Sequence, residues 1–85
     1  MLSILPLNEK VLKKLQKHTL EEKFDKQVKL ILDNPRHPSL NVELLEPKQY
    51  GVYSFRINKK FRALFIFRTD VLAIEVLNIT LHYHR

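Results

Sequence analysis

From Tyr53 to Phe67 the chain alternates apolar and polar side chains, and this period of two fits a pair of β-strands joined by a tight turn. Tyr53, Phe55 and Ile57 alternate with Ser54, Arg56 and Asn58. After the turn, Phe61, Ala63, Phe65 and Phe67 alternate with Arg62, Leu64, Ile66 and Arg68. A three-residue loop, Asn58-Lys59-Lys60, sets Ile57 opposite Phe61, Phe55 opposite Ala63 and Arg56 opposite Arg62. That register gives one aromatic face for a core and leaves both arginines on the other. A slip of one residue would mix the faces, so burial selects the first register. Two like charges side by side cost roughly 0.2–1 kcal/mol. A sheet that carries this cost is suited to hold a polyanion or a partner's carboxylates. The alternative is that both guanidiniums are solvated, or paired with Glu75 or Glu43.

Eighty-five residues are expected to make one domain, spanning 1–85. So short a chain buries only about 60–65% of its unfolded surface, which leaves a thin core and directs chemistry to an open face or shallow cleft. Apolar residues make up 45% of it, as in folded chains rather than disordered ones. Fifteen Lys and Arg against nine Asp and Glu give a net charge of +6. A field of that sign favours a polyanion or an acidic protein as partner, although it also serves plain solubility. With no cysteine, a disulfide framework, a thiolate metal site and a cysteine nucleophile are excluded, and a reducing, cytoplasmic location is expected. The run Met1-Leu2-Ser3-Ile4-Leu5 is too short for a signal peptide or a membrane span, so no membrane partner is expected. Gly51 is the only glycine, which rules out a glycine-rich phosphate loop.

In chain order, residues 2–6 predict a short first strand, with Pro6 at its end. Asn8 is a suitable N-cap, Glu9 suits the first turn, and Val11, Leu12 and Leu15 form one apolar stripe of a helix ending near His18. Thr19 and Glu22 have the spacing of a capping box for a second helix, whose stripe is Leu20, Phe24, Val28, Ile31 and Leu32. Lys23, Lys26 and Lys29 fall off that stripe and should face water. Lys10, Lys13, Lys14 and Lys17 form a basic run on the first helix, either solvated or lying along a polyanion. Asn34-Pro35 ends the second helix. A strand over Asn41–Leu45, a turn over Glu46–Gly51, the hairpin, a Thr69-Asp70 turn and a last strand from Val71 to about Thr80 complete the pattern. Helices followed by strands predict an α+β fold, with an N-terminal helical hairpin packed on one face of a small, largely antiparallel β-sheet. A two-residue turn at Thr69-Asp70 would place Glu75 opposite Leu64, on the same face as the arginines. Tyr50 and Tyr53 are expected to pack on the sheet rather than to stack on bases.

The loop Asn34-Pro35-Arg36-His37-Pro38-Ser39-Leu40 has the form N-P-x-x-P-S-L, and Ser54 to Phe65 has the form S-x-R-I-x-x-x-x-R-x-x-F. Together with two preceding helices and a last strand running into a histidine-containing tail, these resemble the RelE/ParE toxin superfamily of bacterial type II toxin–antitoxin systems, over nearly the whole chain. The resemblance implies a helical hairpin against a small antiparallel sheet, and a cognate antitoxin as partner. For the RelE-like and YoeB-like branch it implies a metal-free endoribonuclease that acts on mRNA in the ribosome. For the ParE-like branch it implies a DNA gyrase poison. A chain that keeps only the fold and antitoxin binding is a third outcome. A homodimer is a further expected assembly.

By the same resemblance, Arg62 and Arg56 match the family arginines after and before the turn, and Glu43 falls where YoeB-like members carry a catalytic glutamate. His82 is similar to the histidine of the tail. Many members carry a tyrosine further on, whereas Tyr83 here follows His82 directly. RNA cleavage by the neighbouring 2′-hydroxyl needs a base, cations for the phosphorane and an acid for the leaving oxygen. Glu43 is the candidate base, Arg62 and Arg56 the cations, and His82 or His84 the acid. Tyr83, Lys59, Lys60 and Arg85 are the candidate RNA contacts. His37, His82 and His84 have no recognised ligand spacing, so neither a metal nor another cofactor is expected.

Overall fold

A computed structural model describes residues 2–81. Their order is β1 (Ser3–Ile4), α1 (Glu9–Lys17), α2 (Glu21–Asp33), β2 (Glu43–Leu44), β3 (Tyr53–Arg56), β4 (Phe61–Arg68) and β5 (Ala73–Leu81). Short 3₁₀ turns at Pro38–Leu40 and Lys48–Tyr50 flank β2. The strands form one sheet in the order β1-β5-β4-β3-β2. Every pairing is antiparallel except β1 with β5, which is parallel. The fold is thus α+β, with two helices against a largely antiparallel sheet.

The β3–β4 register is the one dictated by the alternation. Phe55 pairs with Ala63 and Arg56 with Arg62. Asn58 fixes the turn, because its side-chain oxygen accepts from the Lys60 and Phe61 backbone amides at 2.8 Å each. Phe55, Ile57, Ala63 and Phe65 therefore share a buried face, joined from β5 by Ile74, Val76 and Ile79. Val11 and Leu15 of α1, then Leu20, Phe24, Val28 and Ile31 in and beside α2, close the core over that face. Each such side chain contributes about 1.5–3 kcal/mol on burial. Tyr53 extends the aromatic row, 5.8 Å from Phe65 and 5.2 Å from Phe67 between ring centroids. Tyr50, by contrast, is 70% exposed and does not pack on the sheet.

Both helix starts test the capping rules. Asn8 caps α1 as expected, accepting from the Val11 amide at 2.8 Å. The capping box at Thr19 and Glu22 does not form: the residue before α2 is Leu20, and no side chain caps it. Thr19 instead has φ +54°. Its amide donates to the Gln16 carbonyl at 3.2 Å, and the Leu20 amide to the Leu15 carbonyl at 2.8 Å. This is a Schellman ending for α1, with Leu15 and Leu20 both buried as its apolar contact. A residue held in the left-handed region to end one helix cannot take the extended backbone an N-cap needs for the next.

Two strands differ from expectation in length or register. β2 is two residues rather than five, because Asn41 adopts φ +44° and turns the chain before pairing begins. The β4–β5 turn runs from Thr69 to Leu72, with Leu72 at φ +51°, so Arg68 pairs with Ala73 and Glu75 lies opposite Ile66. A bulge between Leu64 and Phe65 then shifts Asn78 to the position opposite Leu64. Lys14 leaves the solvated run to reach this bulge, donating to the Asn78 side chain at 2.9 Å and the Ile79 carbonyl at 3.2 Å. Among the described residues no helix is long and apolar enough to cross a membrane.

Thr19 offers a direct test. A β-branched residue pays about 1–2 kcal/mol in the left-handed region, more than the roughly 0.5–1 kcal/mol of backbone entropy that glycine adds. Thr19→Gly is expected to raise the unfolding free energy by about 0.5–1 kcal/mol in urea titrations. Destabilisation would mean that the Thr19 side chain makes a compensating contact.

Candidate active site

The polar face of the hairpin is built by the same alternation as the core. Glu43 of β2 pairs with Ser54 of β3, which pairs with Leu64 of β4. Arg62 stands one pair further along, opposite Arg56, with Thr80 of β5 on its other side. Arg62 does not lie open on this face: it is only 4% exposed. Its Nε–H donates to the Ser54 hydroxyl at 2.8 Å, and Nη2 donates to the Ser54 carbonyl at 3.2 Å. Nη2 also donates to the Asn41 carbonyl. The left-handed Asn41 backbone aims that carbonyl inward, and fully buried Leu40 anchors the loop beside it. Asparagine is one of the few non-glycine residues that takes this conformation routinely.

The remaining nitrogen, Nη1, is buried and has no hydrogen-bond partner among the described residues. A guanidinium carries five N–H donors in a rigid fork, and the protein engages only the Nε–Nη2 side of this one. Burial pushes the Arg62 pKa below its ordinary value; Glu43 opposes that shift and the Arg56 charge reinforces it. The guanidinium remains a cation near neutrality. Glu43 lies 4.0 Å from Nη2, with half of its side chain exposed. A fixed cation just beneath the face and a half-exposed carboxylate upon it can stabilise an anionic group through space and accept a proton beside it.

Arg56 points into a different environment. Because β2 begins only at Glu43, opposite Ser54, the edge of β3 at Arg56 has no strand beside it. Gln27 of α2 covers that edge, donating from one buried amide to the Arg56 carbonyl at 2.7 Å and to the Ser39 carbonyl at 3.2 Å. Around this pin lies a cleft of about 510 Å³, lined by Lys23, Lys26, Gln27, Ser39 and Arg56 together with Ile57–Lys60 of the turn. Lys23, Lys26, Lys59 and Lys60 are exposed, and Arg56 is half-buried.

The structure thus brings Arg62, Glu43 and Arg56 together, and sets Lys59 and Lys60 at the adjoining turn. His82, Tyr83, His84 and Arg85 lie outside the described residues. Glu75 is not a partner of Arg56 or Arg62: the longer β4–β5 turn delivers it to Arg68, at 2.9 Å. Arg68 also holds Asp70 at 2.9 Å, and these hydrogen bonds pull the Asp70 carboxyl below its ordinary range. Sequence reasoning missed Ser54, Asn41 and Gln27. Ser54 was visible as the small polar residue two positions before Arg56 in the alternation, and Asn41 as a residue tolerant of positive φ. Gln27 had no such signal, since it sits among polar neighbours of α2.

No model of a known protein family matches the chain, and neither does any curated protein. Solved structures do match its fold. A YoeB/ParE toxin from Agrobacterium tumefaciens superposes with a TM-score of 0.70 at 19% identity, covering 96% of this chain and 98% of that one. The YoeB–YefM heterotetramer from Staphylococcus aureus gives 0.65 at 21% identity, covering 98% and 97%. The RelBE2 toxin–antitoxin complex from Mycobacterium tuberculosis gives 0.57 at 16% identity, covering 94% and 98%. At these identities the likeness is one of fold, and it agrees with the RelE/ParE resemblance carried by the hairpin and loop.

The hydrogen bonds of Arg62 predict an asymmetry in stability. Ser54→Ala strands a buried, charged donor and is expected to cost about 1–3 kcal/mol in urea unfolding. Arg62→Met removes the charge and keeps the volume, and is expected to cost less than Ser54→Ala. The reverse order would mean that the guanidinium is a net stabiliser of the fold.

Proposed function

We propose that this chain is the cytoplasmic toxin of a type II toxin–antitoxin pair and acts as an endoribonuclease on messenger RNA, at the ribosome. The observation that carries the reading is the Arg62 guanidinium, buried and fixed by Ser54 and Asn41, with its Nη1 edge unengaged. A preorganised cation of this kind stabilises charge that develops on a phosphate, at no cost of reorganisation during the reaction. The match to YoeB and RelBE structures supports the toxin assignment, and the YoeB–YefM and RelBE2 complexes support an antitoxin as partner. A YoeB dimer from Staphylococcus aureus, at 24% identity and a TM-score of 0.61, supports a dimeric form.

In the proposed reaction the Glu43 carboxylate takes the proton of a ribose 2′-hydroxyl. The oxygen attacks the adjacent phosphorus, and the Arg62 charge, fixed just beneath the face, stabilises the growing negative charge on a non-bridging oxygen. Arg56, paired with Arg62 across the hairpin, adds a second positive charge. The P–O5′ bond breaks, and His82 supplies the proton to the leaving oxygen. The products are a 2′,3′-cyclic phosphate and a 5′-hydroxyl end. Every group in this scheme comes from the chain.

The test is a translating extract given the purified protein, with new 5′ ends mapped on the message. Cuts within codons at the ribosomal A site are expected from the unaltered protein. Arg62→Ala is expected to lower the cleavage rate about 10²–10³-fold, as loss of a transition-state donor does. Glu43→Gln is expected to lower it about 10²–10⁴-fold, as loss of a general base does. Intact message and undisturbed translation would overturn the ribonuclease reading. Inhibition of gyrase supercoiling by the same protein would then assign it to the ParE-like branch.

A further inference from the structure

The cleft between α2 and the β3–β4 turn has a lining that the proposed reaction does not use. Lys23 and Lys26 come from α2, and Arg56, Lys59 and Lys60 from the hairpin. Among the described residues no carboxylate lines it. Five cations that converge without a counter-charge repel one another, and solubility does not require them to face each other across a groove. The walls are held at fixed separation by the Gln27 amide, which spans the floor to the Arg56 and Ser39 carbonyls. The groove is therefore built into the fold rather than assembled by chance rotamers of surface lysines.

We propose that this cleft binds the sugar–phosphate backbone of a single RNA strand, as an extension of the Arg62 site. The proposal rests on the ribonuclease reading for its purpose, but its binding step stands alone. Two features select phosphates over an acidic protein segment. Among the described residues Ile57 is the only apolar one in the lining and is itself buried, so an amphipathic peptide would find lysine stems but no large apolar side chain to pack against. No aromatic ring of the described residues lines the cleft either, so the strand is held there by charge, without sequence preference. Continuity gives the direction. Arg56 lines the cleft and is also the register partner of Arg62, so a strand with one phosphate at Arg62 meets Arg56 next and then the lysines.

The experiment measures binding of a fluorescein-labelled, fully 2′-O-methylated RNA oligonucleotide by anisotropy over a range of salt concentrations. The probe lacks the attacking hydroxyl, so binding is read without cleavage. The cleft variant is Lys23→Gln, Lys26→Gln, Lys59→Gln and Lys60→Gln together. The control neutralises four exposed lysines elsewhere, Lys10, Lys13, Lys17 and Lys29. Each phosphate contact on a single strand contributes about 0.7 to the slope of log affinity against log salt, so the cleft variant is expected to lose about 2–3 units of slope. Between 1 M and 0.1 M salt the cleft variant is therefore expected to gain about 100- to 1000-fold less affinity than the unaltered protein, with the control close to the unaltered protein. Equal losses in the two variants would reduce the effect to net charge and overturn the proposal, as would an unchanged slope. An oligoglutamate peptide that binds tighter than the RNA probe, and is lost in the cleft variant, would assign the cleft to an acidic protein segment and overturn it too. Far-ultraviolet circular dichroism confirms that both variants fold. If the unaltered protein binds the probe through the cleft but leaves the message intact in the translating extract, the ribonuclease reading fails and the cleft remains.

Discussion

The turn at Asn58–Lys60 is held by one side-chain oxygen that accepts two backbone amides, and by the Ile57 amide donating to the Phe61 carbonyl at 3.0 Å. Because strand faces alternate residue by residue, this small constraint settles the environment of every side chain in β3 and β4. Phe55, Ile57, Ala63 and Phe65 go to the helices, and Ser54, Arg56 and Arg62 to the opposite face. Had the turn been one residue longer on one side, Arg62 would face the apolar layer beneath α2 with no acceptor in reach. Core and candidate site are two readings of one register.

Within that register Arg62 occupies an expensive position. Taking a guanidinium out of water costs several kcal/mol, and here Ser54 and the Asn41 carbonyl offset it while the nearby carboxylate of Glu43 adds only a long, half-solvated attraction. An apolar residue of similar volume would serve the fold at least as well. The neighbouring Arg56 charge makes the arrangement less favourable still. A side chain placed against the preference of the fold, and then fixed by hydrogen bonds on one edge only, is better explained by what the other edge does than by stability.

Much of this was legible in the sequence, for a local reason. The hairpin register follows from alternation over adjacent residues, and the helix stripes from a 3.6-residue period, so Phe24, Phe55 and Phe65 could be placed in the core without a structure. The failures share a different origin. Thr19 is drawn into ending α1 by the packing of Leu15 against Leu20, which outweighs the pattern that would have made it an N-cap. The burial of Arg62 depends on a carbonyl 21 residues earlier, delivered by a backbone inversion that composition does not announce. The partner of Glu75 changed because the β4–β5 turn takes four residues instead of two, which carries Glu75 to Arg68. Gln27 is polar and buried because an edge of β3 needs a donor, and that need exists only because β2 begins as late as Glu43.

The parallel pairing of β1 with β5 bears on how the molecule comes into being. Ser3 and Ile4 find their partners at Ala73 and Ile74, with about 70 residues of chain to be gathered before the contact can form. β5 also supplies the longest pairing of β4 and the main surface under α1. During synthesis the helical hairpin emerges first and has no sheet to cover, and β3 and β4 emerge while one long edge is still bare. Cooperative folding therefore waits for the last strand, and nascent chains expose an apolar layer that a partner or chaperone can reach before the finished surface exists. Until β5 joins the sheet the apolar layer stays uncovered, and any assembly partner that recognises it has an interval in which to act.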